Sequence, residues 1–199
     1  MAVNLYARSS VSQDFVNDLR LRAANVVQDL AGASASDSNL NYRQLAGTDF
    51  TTNGATVQGH LTNPVALVAN TWSADIATGF TPQQGAGFVL YGVVLEDATS
   101  SLDAIQIAVG AVPIAIIQLH EMKSPGAGTT PQTGFLSEMV WVQSPVHCAI
   151  TLLAGSAVGQ SVENFMFLGF YGGIDGVGVQ SQAPPPGSVA GQPFGSHAA

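Results

Sequence analysis

Between Asp103 and His120 the chain runs for sixteen residues, Ala104 to Leu119 (AIQIAVGAVPIAIIQL), without a formal charge. How that run folds decides the class of protein. A helix that crosses a bilayer needs about 20 apolar residues to span a hydrocarbon core ~30 Å thick. This run is shorter, holds Gln106 and Gln118, and carries Gly110 and Pro113 at its middle. It reads as two strands, Leu102–Val109 and Val112–His120, turned at Gly110-Ala111, where glycine supplies the positive φ of a primed hairpin turn. In the first strand Ile105, Ile107 and Val109 alternate with Ala104, Gln106 and Ala108, which makes one face bulky and the other small. Beyond Pro113, Ile114, Ile116 and Ile117 put apolar side chains on both faces. The pair is expected to be core on one side and, in part, a subunit contact on the other.

The segments before and after this hairpin follow the same logic. Residues 1–10 read as an extended arm. From Ser10 the period becomes helical, with Phe15, Val16, Leu19, Ala23, Val26, Val27 and Leu30 at spacings of three and four. Ser10 and Gln13 fit a capping box, Asp14 suits the first turn, and Gly32 suits the position after the last. The stripe is expected to pack on its own domain or on a neighbour. A membrane-surface helix is the alternative, although only Arg20 and Arg22 lie along it. Residues 32–41 (GASASDSNLN) form a linker by composition.

From Tyr42 the chain turns to short β-rich runs. Asn53-Gly54 is a turn signal; Val57–Leu61 and Val65–Ala69 follow, broken at Asn63-Pro64, and Trp72–Ile76 is a weaker strand. Thr81–Gly87 is a loop, and Phe88–Leu95 puts Val89, Tyr91, Val93 and Leu95 on one face. Lys123–Gly134 (KSPGAGTTPQTG) is a long loop. Phe135–Gln143 and Val146–Leu153 are strands, the second with Val146, Cys148, Ile150 and Leu152 pointing one way. Val162–Tyr171 (VENFMFLGFY) is apolar on both faces, with Phe165 and Phe167 on one and Met166, Leu168 and Phe170 on the other, so it should be covered on both sides. About eight strands after residue 50, one helix before them and no βαβ alternation predict an all-β sandwich or barrel. The chain divides into residues 1–41 (arm, helix and linker), residues 42–180 (sandwich) and residues 181–199 (a Pro/Gly-rich tail, SQAPPPGSVAGQPFGSHAA). An arm and a tail with no core of their own are, in this reading, held by neighbouring subunits.

Charge narrows the choice of partners. Only 9% of the 199 residues are charged, against roughly 25% in ordinary globular proteins, and such a surface is poorly suited to an isolated monomer. Arg8, Arg20, Arg22 and Arg43 are balanced by Asp14, Asp18, Asp29 and Asp37. Beyond them Lys123 is the only Lys or Arg, facing nine carboxylates, the remainder of thirteen after those four. Direct nucleic-acid binding is not expected, because it rests on several Lys/Arg–phosphate contacts. Cys148 is the single cysteine, so no intrachain disulfide can form. MAVNLYARSS lacks the basic-then-apolar pattern of a signal peptide, and export by that route is not expected.

No reaction emerges from the side chains. His120 and Glu121 end a strand on opposite faces, with no second histidine at ligand spacing. His147 and Cys148 also alternate, which leaves Cys148 as an inert core thiol. His60 has no acidic neighbour and His197 lies in the tail. Residues 169–178 (GFYGGIDGVG) lack both GxGxxG order and GK[ST], and read as turn or close-packing glycines. Glu96-Asp97 reads as a strand end. No catalytic, cofactor-binding or metal-ligating set is assigned, and the chain is not expected to be an enzyme.

This layout, an N-terminal arm and helix, about eight strands, long Gly/Pro/Thr loops and an extended tail, resembles the single jelly-roll capsid proteins of icosahedral viruses over roughly residues 10–180. The nearest likeness is to small coat proteins of tailless viruses with an internal membrane. The resemblance implies a β-sandwich whose copies, with other capsid proteins, tile a virion shell and are tied by terminal segments. It also implies a helix that can face the membrane or interior. The scarcity of Lys and Arg departs from coats that pack genomes on basic arms and suits a shell separated from its genome by a membrane. The run FMFLGFY also resembles the closing strand of tumour-necrosis-factor-like jelly rolls, which implies the alternative of a trimeric receptor- or carbohydrate-binding head. Trp72 and Trp141 bear on that alternative, with Trp141 expected in the core.

Overall fold

The computed structural model describes residues 2–30, 40–46, 49, 51–52, 61–62, 67–73, 77–80, 86–96, 100–120, 122, 132–143, 148–155 and 163–174. In chain order these hold β1 (Ala2–Val3), β2 (Leu5–Ala7), a 3-10 turn (Arg8–Ser10), α1 (Gln13–Leu30), β3 (Leu40–Gln44), β4 (Thr51–Thr52), β5 (Leu61–Thr62) and β6 (Ala77–Phe80). There follow β7 (Ala86–Leu95), β8 (Leu102–Val109), β9 (Val112–Gln118), β10 (Gln132–Gln143), β11 (Cys148–Ala154) and β12 (Asn164–Ile174). The strands form two sheets, ordered β1-β9-β8-β11-β6-β4 and β2-β10-β7-β12-β3, with β5 on the flank of β12. The described residues thus form a mostly-β sandwich with one α-helix.

The opening hairpin takes the expected place. Val109 pairs with Val112 across the turn, and Gly110 has φ +59. Ile105, Ile107, Ala115 and Ile117 all enter the core between the sheets, beside Cys148, Ile150 and Leu152 of β11. The other sheet meets them with Phe88, Leu90, Val93, Leu95, Val140, Val142, Phe165 and Phe167. The second strand of the hairpin stops at Gln118 instead of His120, where the Leu119 N–H turns to the Asp103 carbonyl at 2.9 Å.

A second core lies outside the β7 sheet, under α1. Val16, Leu19, Ala23 and Val27 of the helix pack on Val89, Tyr91 and Phe135, with Leu168 and Phe170 beside them. The helical period therefore named the right stripe, and β12 is covered on both faces as its composition demands. The start of the helix differs. Ser12 is the cap, its Oγ accepting the Phe15 N–H at 3.1 Å, while Ser10 turns its hydroxyl back to the Ala7 carbonyl at 2.7 Å within the 3-10 turn.

β7 corrects the expectation that Val89, Tyr91, Val93 and Leu95 share a face. Leu168 pairs with Gly92 and Gly169 with Leu90, so β7 carries one extra residue at this point. With a side-chain period of two, one inserted residue exchanges the faces of everything beyond it. Val89 and Tyr91 go to the helix, and Val93 and Leu95 go to the core.

The N-terminal arm is not left to a neighbour. Ala2 and Val3 lie parallel to Ile116 and Ile117 of β9, and Leu5, Tyr6 and Ala7 lie antiparallel to Leu136, Phe135 and Gly134 of β10. The arm thus crosses from one sheet to the other along one open edge of the sandwich, and Val3 and Leu5 are buried beneath it.

Other differences are local. β3 sits where the linker was expected to end, and its polar sequence (LNYRQ) is held by the ladder to β12. β10 starts at Gln132, inside the expected loop. Leu67 to Asn70 form no strand, and Trp72 makes only a single bridge, to Leu153. Asn53-Gly54, residues 123–131 and the tail 181–199 lie outside the described residues.

Candidate functional site

The side chains singled out for chemistry do not converge. His120 is exposed after β9, and Cys148 is buried in the core. Among the described residues no group of three His, Cys, Asp or Glu comes together. His60, Asp97, Glu121, His147 and His197 lie outside them. Gly169, Gly172 and Gly173 lie within β12 and not in a turn, while residues 175–178 lie outside the described residues.

The polar side chains that are buried hold elements together. Arg43 forms two bonds to Asp49, at 2.8 and 2.5 Å, and stands 5.2 Å from the Tyr171 ring centroid. Glu163 is fully buried, and its Oε1 accepts the Ser101 N–H at 2.5 Å. The Ser101 carbonyl in turn accepts the Gly155 N–H at 2.7 Å. This chain links the ends of β8, β11 and β12.

Tyr91 is buried at 4% exposure beneath α1. Burial raises its phenol above the ordinary value of 10.0, opposed by the Arg20 guanidinium, which also hydrogen-bonds it. Because the folded value is the higher one, the neutral phenol's contribution is complete below pH 10 and is lost as pH climbs through the raised value. The urea midpoint of the wild type is expected to fall more steeply above pH 10 than that of Tyr91→Phe. Parallel curves from pH 8 to 11 would remove Tyr91 from the account.

What the fold does build is a surface. Alternation places the core residues of β8, β9 and β11 on the inner face, so their neighbours form the outer one. Across this outer face Gln118, Ala104 and Leu153 line up in one row, and Ile116, Gln106 and Thr151 in the next. Ala108 and Ala149 begin a third. None of these side chains is charged. Trp72, 39% exposed, extends the first row through its bridge to Leu153. The outer face of the other sheet is covered by α1, whereas no helix among the described residues covers this one. The alternation of Ala149, Thr151 and Leu153 with Cys148, Ile150 and Leu152 was the signal for this face. What it lacked was the partner strands that complete the rows.

A second apolar feature lies at the sandwich edge. A groove of about 600 Å³ opens between β9 and β10, lined by Val3, Val109, Ile114, Ala115 and residues 138–143. Trp141, expected in the core, is 55% exposed at its rim. It points to the helix side of the sheet, level with Val89, but on a stretch of β10 that no further strand among the described residues flanks.

The aromatic run of β12 is consumed within the chain. Phe165 and Phe167 stack edge to face at 5.6 Å in the core, and Phe170 lies against Tyr91 under α1. Among the described residues no helix is long and apolar enough to cross a membrane, and the apolar stripe of α1 is spent on the sheet beneath it. Compared with known proteins, the chain matches no family model and no curated sequence.

Proposed function

We propose that this chain is a structural subunit of a viral capsid, a single jelly roll that assembles with copies of itself and with other capsid proteins in the virion. The observation that carries the reading is the neutral outer face of the β9-β8-β11 sheet. Its rows carry no charge: Gln106, Ile116, Gln118, Thr151 and Leu153 are half-buried around the buried Ala104, without the charges that keep solvent-facing sheets apart. Strand order supports the jelly-roll topology. Counting eight strands from β3 and skipping the short β4 and β5, one sheet runs first-eighth-third-sixth and the other second-seventh-fourth-fifth. Successive strands change sheet at every step except the β8–β9 hairpin, which is the double Greek-key winding of that fold.

Burial of such neutral surface between copies accounts for a chain in which 9% of residues are charged. The internal position of the β12 aromatics weighs against a trimeric binding head that would join copies through them. Since the arm of residues 2–7 is used within its own protomer, the sheet face takes the larger share of assembly.

Light scattering on the purified full chain tests the reading. Assembly into multimers is expected, and Gln106→Lys or, separately, Gln118→Lys should raise the concentration for half-assembly at least tenfold, because the added ammonium would have to be desolvated. The melting temperature should stay within a few degrees. A wild-type chain that remains monomeric at high concentration, or variants that assemble unchanged, would overturn it.

A further inference from the structure

We infer that the cleft between the edges of β9 and β10 is a strand-acceptor site, in which the chain's own residues 2–7 sit as a displaceable ligand. The ligand class is an extended peptide with apolar side chains at the spacing Val-x-Leu. The inference is independent of the capsid reading, because it concerns how one chain closes its own edge.

The cleft is built for a strand that leaves one sheet and joins the other. Ala2 and Val3 pair with Ile116 and Ile117 of β9, and Leu5, Tyr6 and Ala7 pair with Leu136, Phe135 and Gly134 of β10. At the crossing, Ser137 serves both polar groups of the Asn4 backbone. Its N–H donates to the Asn4 carbonyl at 2.8 Å, and its Oγ accepts the Asn4 N–H at 3.2 Å. In strand addition such main-chain bonds supply affinity, and pockets for alternate side chains supply specificity. Those pockets are present. Val3 and Leu5 are 2% and 0% exposed, in one cluster with Ala115, Ile117, Met122 and Leu136, while Ala2, Asn4 and Tyr6 are exposed. Gly134 makes room for Leu5: a Cβ there would stand 2.6 Å from Leu5 Cδ2 and 2.7 Å from the Met122 sulfur.

The arm is fastened lightly and hinged separately. Two buried side chains and two short ladders oppose the conformational entropy of ordering the segment, whereas β7, β8 and β11 have strand partners on both flanks. The turn that follows, Arg8–Ser10, buries none of its residues. Its side-chain bonds, from Arg8 to the Val11 carbonyl and Gln13 and from Ser10 to the Ala7 carbonyl, are all exposed. The helix beyond keeps its own cap at Ser12 and its own stripe on the sheet. Swinging the arm out costs it the edge-to-face contact of Tyr6 with Phe15, 6.3 Å between centroids, and leaves that stripe in place. Segments held by so few contacts open below the free energy of global unfolding, and opening here uncovers the acceptor edge.

Thiol labelling of full-length Val3→Cys, at a concentration too low for assembly, reads the opening. The native Cys148, 1% exposed in the sandwich core, is the internal reference. The introduced thiol is expected to react at least a hundredfold faster than Cys148, at a rate that rises little over urea concentrations where the Cys148 rate climbs. Equal rates with equal urea dependence would mean that the arm leaves only when the sandwich unfolds, and would overturn the inference. The acceptor itself is probed with a labelled synthetic peptide of residues 2–10 (AVNLYARSS). Full-length Leu5→Asp should stay folded and bind this peptide at least tenfold more tightly than the wild type. An unpaired carboxylate cannot occupy an apolar pocket, so the expelled arm no longer competes from within the chain. The same peptide carrying Leu5→Asp should not bind. If full-length Leu5→Asp unfolds, or stays folded and takes up no peptide, the arm belongs to the protomer's core and is no ligand. None of these results bears on the capsid reading, which is tested at the outer sheet face.

Discussion

Gly169→Ala is expected to destabilise the protein by about 3 kcal/mol or more, at the upper end of what overpacking costs. A Cβ built on Gly169 would stand 2.3 Å from the Val89 carbonyl oxygen and 3.0 Å from Leu90 Cδ2. The leucine could rotate away, but the carbonyl belongs to β7, flanked by β10 and β12, and cannot retreat without breaking a ladder. The site coincides with the register shift between Leu168 and Gly169, and the Gly169 carbonyl also accepts the Leu45 N–H at 2.9 Å. Domains of this kind are held by only about 5–15 kcal/mol, so the loss should appear as a large fall in the urea midpoint. Gly110→Ala separates backbone strain from collision. Its Cβ would meet nothing within 4 Å, yet φ is +59, and a left-handed alanine costs only about 1–2 kcal/mol. Equal losses at the two positions would mean that the close approach of β7 and β12 is not what requires Gly169.

Phe165→Ala should cost about 3–5 kcal/mol, whereas Trp141→Ala, although it removes a larger side chain, should cost within about 0.5 kcal/mol in the monomer. The difference follows from where the alternation of each strand lands. Phe165 is fully buried, pairs with Leu95 and Leu61 on its two flanks, and meets Phe167 edge to face at 5.6 Å. Its removal leaves a cavity in a core whose surrounding strands are fixed by their ladders. Trp141 stands more than half in solvent. Denaturant unfolding of both variants at a concentration too low for assembly checks the pair. A costly Trp141→Ala would show that its ring supports the protomer itself.

These two results bear on different levels of the protein. The Phe165 position was legible from VENFMFLGFY alone, because a strand apolar on both faces must be covered on both. Trp141 was not, since its alternation with Val140 and Val142 is that of any half-buried strand. Whether the outward residue is then covered depends on where α1 ends and on β10 lying at the edge. The candidate surface divides in the same way. Each strand announced its small or neutral face, but the rows Gln118-Ala104-Leu153 and Ile116-Gln106-Thr151 exist only once β8 is placed between β9 and β11.

By itself the sequence determined the local periods and their punctuation: the helix stripe from Val16 to Val27, the hairpin at Gly110, the inward Cys148, the doubly apolar β12 and the near absence of charge. These follow from side-chain spacing, polarity and backbone conformation within a few residues. Tertiary structure alone decided that Ala2–Ala7 closes the sandwich's own edge, that LNYRQ is a strand, that one extra residue in β7 sends Tyr91 to the helix and Val93 to the core, and which outer face α1 leaves open. Each of those outcomes depends on a partner distant in sequence, and neither a ladder nor a bulge can be recognised until the strand opposite it is known.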